Sequence, residues 1–160
     1  MSTLPQLIEE DIRELERALQ ELLQKSDASS VLIIDKGGFL ITQYGDTRDL
    51  DTTTLAALSA ASFAATEGIA GLVNETNFSN IYQQGDTFSL LVSNIDEYSL
   101  LTVVFKAQIS VGAVKYFAAN TIKQVAKQFK RAHRRAPDKG LDLSMLNLAD
   151  TGPLFRKKIA

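Results

Sequence analysis

The chain's one histidine, His133, lies in KRAHRR, and the chain has no cysteine. A Ser-His-Asp triad needs its histidine between a carboxylate and a nucleophile, whereas the neighbours of His133 are cations on a segment expected to face solvent. One histidine without cysteine cannot assemble a catalytic zinc site. The acidic pairs Glu9-Glu10 and Asp96-Glu97 fall at a helix start and at a hairpin turn, where solvated acids are ordinary. The glycine pair in DKGG lacks the Gly-Lys-Ser/Thr spacing of a phosphate loop and precedes a strand, so it reads as a turn. No catalytic residue, cofactor site or metal site is expected, and the chain is read as a protein without its own active site.

The last helix presents a different chemistry. Lys115, Lys123, Lys127, Lys130, Arg131, Arg134 and Arg135 stand without an Asp or Glu from residue 110 to 135. Cations suit a helix C-terminus. A net charge of -2 and a pI near 5.4 disfavour general polyanion binding. A solvated face offset by an acidic first helix is therefore expected, with no nucleic acid bound.

The elements that hold these residues follow from periodicity and breakers. Pro5, Pro137 and Pro153 leave a long proline-free stretch, read as one domain over 6–135 with a C-terminal tail over 136–160. Leu7, Ile8, Ile12, Leu15, Leu19, Leu22 and Leu23 recur at helical spacing. SSVLIIDKGGFLITQYGD reads as a hairpin. DTTTLAAL opens a second helix capped by Asp51 or Thr52. FSNIYQQ, TFSLLVSNI and YSLLTVVFK are strands joined by loops too short for parallel crossovers. A final helix from about residue 110 to 135 turns Val111, Val114, Ala118, Ile122, Val125 and Phe129 inward. The order α-β-β-α-β-β-β-α predicts an α+β domain, a five-stranded antiparallel sheet with helices on both faces. Neither a signal peptide nor a membrane-spanning run is expected, and the absence of cysteine fits a cytoplasmic protein.

LAALSAASFAATEGIAGL, residues 55–72, carries Glu67 as its one charge. Turned through its period, Leu55, Leu58, Ser62, Ala65, Ile69 and Leu72 form the stripe expected to cover the sheet. Ala57, Ala60, Ala61, Ala64, Gly68 and Gly71 form the opposite face. Helix propensity does not explain that face, since each interior glycine costs about 1 kcal/mol against alanine. Small residues let another backbone come close, so a contact surface is expected there.

The element order, VLIIDKGGFLI, and LDTTTLAALSAASFAATEGIAGL resemble the roadblock / dynein light-chain family over roughly residues 8–131, closest to its bacterial MglB-like members. The resemblance implies a homodimer whose edge strands pair into one sheet and whose central helices lie side by side. From it Phe63, Ile81 and Tyr82 are expected at the dimer contact. It also implies that two copies bind one Ras-like small GTPase of the MglA type on the helical surface, with Ala64 and Gly68 facing it. They would speed GTP hydrolysis by repositioning the GTPase's own groups. Arg48 is then a loop or rim charge and not an arginine finger. The tail of such proteins also contacts the GTPase, although Arg156, Lys157 and Lys158 depart from the acidic pattern of those tails. Two other readings are a roadblock dimer that gathers a GTPase or motor complex without activating it, and an anion-binding module using the basic helix.

Overall fold

The computed structural model describes residues 4–135. The expected tail over 136–160, with Arg156, Lys157 and Lys158, lies outside the described residues. Three helices and five strands follow in chain order: α1 (Glu9–Ser26), β1 (Ser30–Asp35), β2 (Leu40–Gly45), α2 (Thr52–Leu72), β3 (Asn80–Gln84), β4 (Phe88–Asn94), β5 (Ser99–Lys106) and α3 (Val111–Arg135).

All strand pairs are antiparallel, in the order β2-β1-β5-β4-β3. Alternation along each strand divides the side chains between two layers. On one face Val31, Ile33, Leu91, Leu101, Val103 and Phe105 pack against Leu15, Leu19 and Leu22 of α1 and Val114, Val125 and Phe129 of α3. On the other, Leu32, Ile34, Val92 and Leu100 meet Ala56, Ala60 and Phe63 of α2. Leu4 is buried in the first layer, so packing begins ahead of α1. Because α2 carries the chain from β2 across to β3, those two strands are the sheet's edges.

The DKGG turn closes the β1–β2 hairpin. Asp35 Oδ1 accepts from the Gly37 N–H at 2.6 Å, and Gly38 alone of the pair takes a positive φ, 99°. Gly38 is also where the hairpin meets α2, because a Cβ there would lie 3.3 Å from the Ala57 Cα.

Asp11, in the first turn of α1, makes a contact that no local pattern in the sequence shows. Its side chain is fully buried, accepting from the Ile8 N–H at 2.8 Å, from Gln128 Nε2 at 2.7 Å, and from the Arg135 guanidinium. Burial pushes its carboxyl up, but the bonds from Arg135, Ile8 and Gln128 together outweigh this and hold it below the usual carboxylate range. The contact ties the first turn of α1 to the last turn of α3. His133 corrects the sequence reading of a solvent-facing segment. It is half-buried, its ring 5.8 Å from that of Tyr98 in a stacked pair.

Candidate partner-docking site

The site is built on α2. Asp51 caps it, with Oδ1 accepting from the Thr54 N–H at 3.0 Å and Oδ2 from the Thr54 hydroxyl at 2.6 Å. At the far end the Glu75 N–H returns to the Ala70 carbonyl, 2.9 Å, around Asn74 at φ 57°.

The face of α2 against the sheet is not the expected one. Ala56, Ser59, Ala60, Phe63 and Ala70 are buried. Leu58, Ile69 and Leu72, expected inward, are 62%, 50% and 84% exposed; Leu55 and Ser62 are half-buried and Ala65 is exposed. The reason is steric. Leu32, Ile34, Val92 and Leu100 already fill the layer beneath, so the helix seats small residues there and anchors itself with one large ring, Phe63. The hydroxyls of Ser59 and Thr102 and the Gln43 Oε1 are buried without a hydrogen-bond partner among the described residues. The seat of α2 is therefore less completely satisfied than a purely apolar contact would be.

Of the residues expected to meet a partner, Ala57, Ala61, Ala64, Gly68 and Gly71 are exposed. A Cβ added at Gly68 or Gly71 would touch nothing within 4 Å. Ala60 is corrected: at 5% exposure it faces the sheet and cannot meet a partner. Phe63 is corrected likewise. At 3% exposure it belongs to the core under α2 and cannot form a dimer contact.

The outward surface thus combines a small-residue strip with Leu58, Ile69 and Leu72, which inward assignment had removed from it. A helix apolar on two faces is apolar overall. Among the described residues α2 is the one helix long and apolar enough, by length and composition, to cross a membrane, although 28% of its apolar window is buried inside the domain. Its cap and its seat on the sheet give that composition a use within the fold.

Beside this surface lies the β3 edge. Ile81 is half-buried against the layer under α2. Tyr82 points to the opposite face, 40% exposed, with its ring 6.2 Å from Phe105 in a stacked pair. At the other end of β4, Phe88 is 50% exposed, and with Leu50 and Val104 it lines a groove of ≈ 540 Å³ that α2 leaves uncovered.

Two charged features frame the surface without entering it. Arg48 precedes α2 in a loop, 86% exposed, and its Nε lies 3.0 Å from Asp46 Oδ1. The pair holds the Asp46 carboxyl below its usual range. The basic residues of α3 are exposed on the far side of the sheet, where α3 packs beside the acidic α1. No group of three or more metal-ligating side chains occurs among the described residues.

The Roadblock/LC7 domain family model matches residues 14–105. Among solved structures, MglB of Myxococcus xanthus superposes with a TM-score of 0.74 at 30% identity, over 79% of this chain and 96% of that one. The gliding protein MglB from Thermus thermophilus gives 0.75 at 26%, over 82% and 99%. A Roadblock/LC7 domain from Streptomyces avermitilis shares the fold, with a TM-score of 0.63 at 18% identity over 70% of this chain and 94% of that one. A search of curated proteins by sequence finds no match. The chain belongs to the Roadblock/LC7 domain family, and its close structural neighbours there include MglB proteins.

Proposed function

We propose that this protein is a homodimeric regulator of a Ras-like small GTPase of the MglA type, without an active site of its own. One observation carries the reading: α2 presents an outward face of Ala57, Ala61, Ala64, Gly68 and Gly71 flanked by Leu58, Ile69 and Leu72, next to an unpaired strand edge. An apolar helical face left in water is unfavourable, and an unpaired edge is a template for another strand. A second copy joined at β3 would use both, extending the sheet and bringing two α2 helices side by side. The joint surface would offer a GTPase a broad apolar platform in which small residues permit close backbone approach. The likeness to MglB structures supports this reading.

Activation would come from the GTPase's own catalytic groups, held in place by the platform. Arg48 fits this view as a solvated loop charge, paired with Asp46 and 86% exposed. The test is single-turnover GTP hydrolysis by the Ras-like GTPase of the same cell, with increasing amounts of this protein. Stimulation that saturates at two chains per GTPase is the expected result. GTP-dependent binding without stimulation would leave a scaffold, and absence of both would remove the proposal.

A further inference from the structure

Two exposed apolar clusters stand on the α2 face of the sheet, at opposite corners of the β3 edge. The first is the end of α2, where Leu72 and Val73 are 84% and 58% exposed. It stands over the start of β3. Glu67, Phe78, Ser79 and Asn94 line one cavity of ≈ 320 Å³ there, and the Asn94 N–H donates to the Ser79 carbonyl at 2.9 Å. The second cluster is Phe88, which alternation puts on the same face of β4 as Leu90 and Val92. With Leu50 and Val104 it lines the groove of ≈ 540 Å³. It stands at the end of β3, where the Gly85 N–H donates to the Phe88 carbonyl at 3.0 Å. Phe88 and Asn94 are the two ends of β4, about 20 Å apart. One chain therefore cannot bring its own two clusters together.

A two-fold axis can. A dimer joined at β3 with both α2 helices on one face has its axis perpendicular to the sheet, so the two β3 strands run antiparallel. The start of β3 in one copy then lies beside the end of β3 in the other. We infer that the end of α2 in each copy fills the Phe88 groove of its partner, with Leu72 and Val73 over Phe88 and Val104. The inference rests on the reading of a β3-joined dimer. Two observations make a second copy the occupant. The fit is reciprocal, since one axis fills both grooves and covers both helix ends. The seam between the strands is also small: β3 has five residues, and a two-stranded contact alone is marginal in water. A stable interface covers roughly 800 Å² of each partner. The two corner contacts supply apolar area at both ends of the seam.

Leu72 then serves the dimer. The strip of Ala57, Ala61, Ala64 and Gly68 is what remains open to a GTPase.

The absence of cysteine makes the test clean. Full-length chains carrying Leu72→Cys are mixed with chains carrying Phe88→Cys, left to exchange subunits, and oxidised mildly. Tyr116→Cys mixed with Phe88→Cys is the control, because Tyr116 is exposed on α3 across the sheet. The mixed disulfide is expected to form at least ~10-fold faster in the first mixture, within the advantage that an effective-concentration difference can give. Leu72→Asp, at a position with little packing inside its own chain, should raise the dimer Kd at least ~10-fold. Sedimentation of the unaltered chain separates the two readings. A dimer with equal crosslinking in both mixtures, or one that Leu72→Asp leaves intact, would overturn the corner contact and leave the β3 dimer standing. A monomer would remove both.

Discussion

Gly68→Arg separates the two faces of α2 because it should move stability and function in opposite directions. Position 68 lies inside the helix, and a Cβ there meets no atom within 4 Å. An arginine side chain can therefore extend into solvent without displacing anything in the domain. Glycine is disfavoured against arginine in a helix interior by about 0.7 kcal/mol. For a domain of this size that gain corresponds to a rise in Tm of roughly 2–3 °C. It should be read by thermal unfolding at a dilution where the chain is monomeric, so that any loss of dimer does not enter. In the hydrolysis assay the same variant places a long cation where a partner backbone must come close. Losses at the centre of an interface run to about 2–4 kcal/mol, so docking should weaken by at least ~30-fold. Ala60→Arg supplies the contrast. At 5% exposure it drives a charge into the layer under α2, and it should fail to fold. If Gly68→Arg unfolds below the wild type as a monomer, the face is packed and not free. If it stimulates hydrolysis as the wild type does, the platform lies elsewhere.

Four further outcomes follow from the structure. Sedimentation at micromolar concentration should give about twice the 17.5 kDa chain mass. Gln84→Pro, at an exposed position of β3 whose N–H faces away from β4, should shift the chain toward monomer. Neutralising Lys123, Lys127, Arg131 and Arg134 to Gln should leave GTPase binding within about twofold, while the wild type should show no steep salt-dependent binding to DNA. Asp11→Asn should cost about 1.5 kcal/mol, the low end for bonds to a charged group, since Arg135 keeps 42% of its side chain in solvent. Because the folded pKa of Asp11 is lowered, its contribution is present above the ordinary value of about 3.9 and is lost as pH falls through the folded one. Urea unfolding as a function of pH should therefore show a smaller acid-side loss in the variant than in the wild type.

The order and type of every element were readable from the sequence because each carries a strong local signal. The strands are dense in Val, Ile and Leu between tight turns, and α1 and α3 each show one apolar stripe against a charged face. The orientation of α2 was not readable, and for a physical reason. Periodicity locates a buried face only when the opposite one is polar, whereas Leu58, Ile69 and Leu72 on the outside are larger than Ala56, Ser59 and Ala60 on the inside. Volume in the layer beneath decided the matter, and that volume is set by strands distant in sequence. Phe63 was the one clue, since a single aromatic ring among alanines marks an anchor. Asp11 and His133 escaped in the same way. Their partners, Arg135 and Tyr98, are brought near only by the packing of α3 on α1 and on the sheet.

Amide hydrogen exchange along this chain, with and without the GTP-bound form of a Ras-like GTPase of the same cell, tests most directly whether α2 is the docking platform proposed above. The expected result is slowed exchange confined to 57–72, absent with the GDP-bound form, and no change over the basic face of α3. Protection centred on α3, or none on α2 in a complex that demonstrably forms, would contradict it.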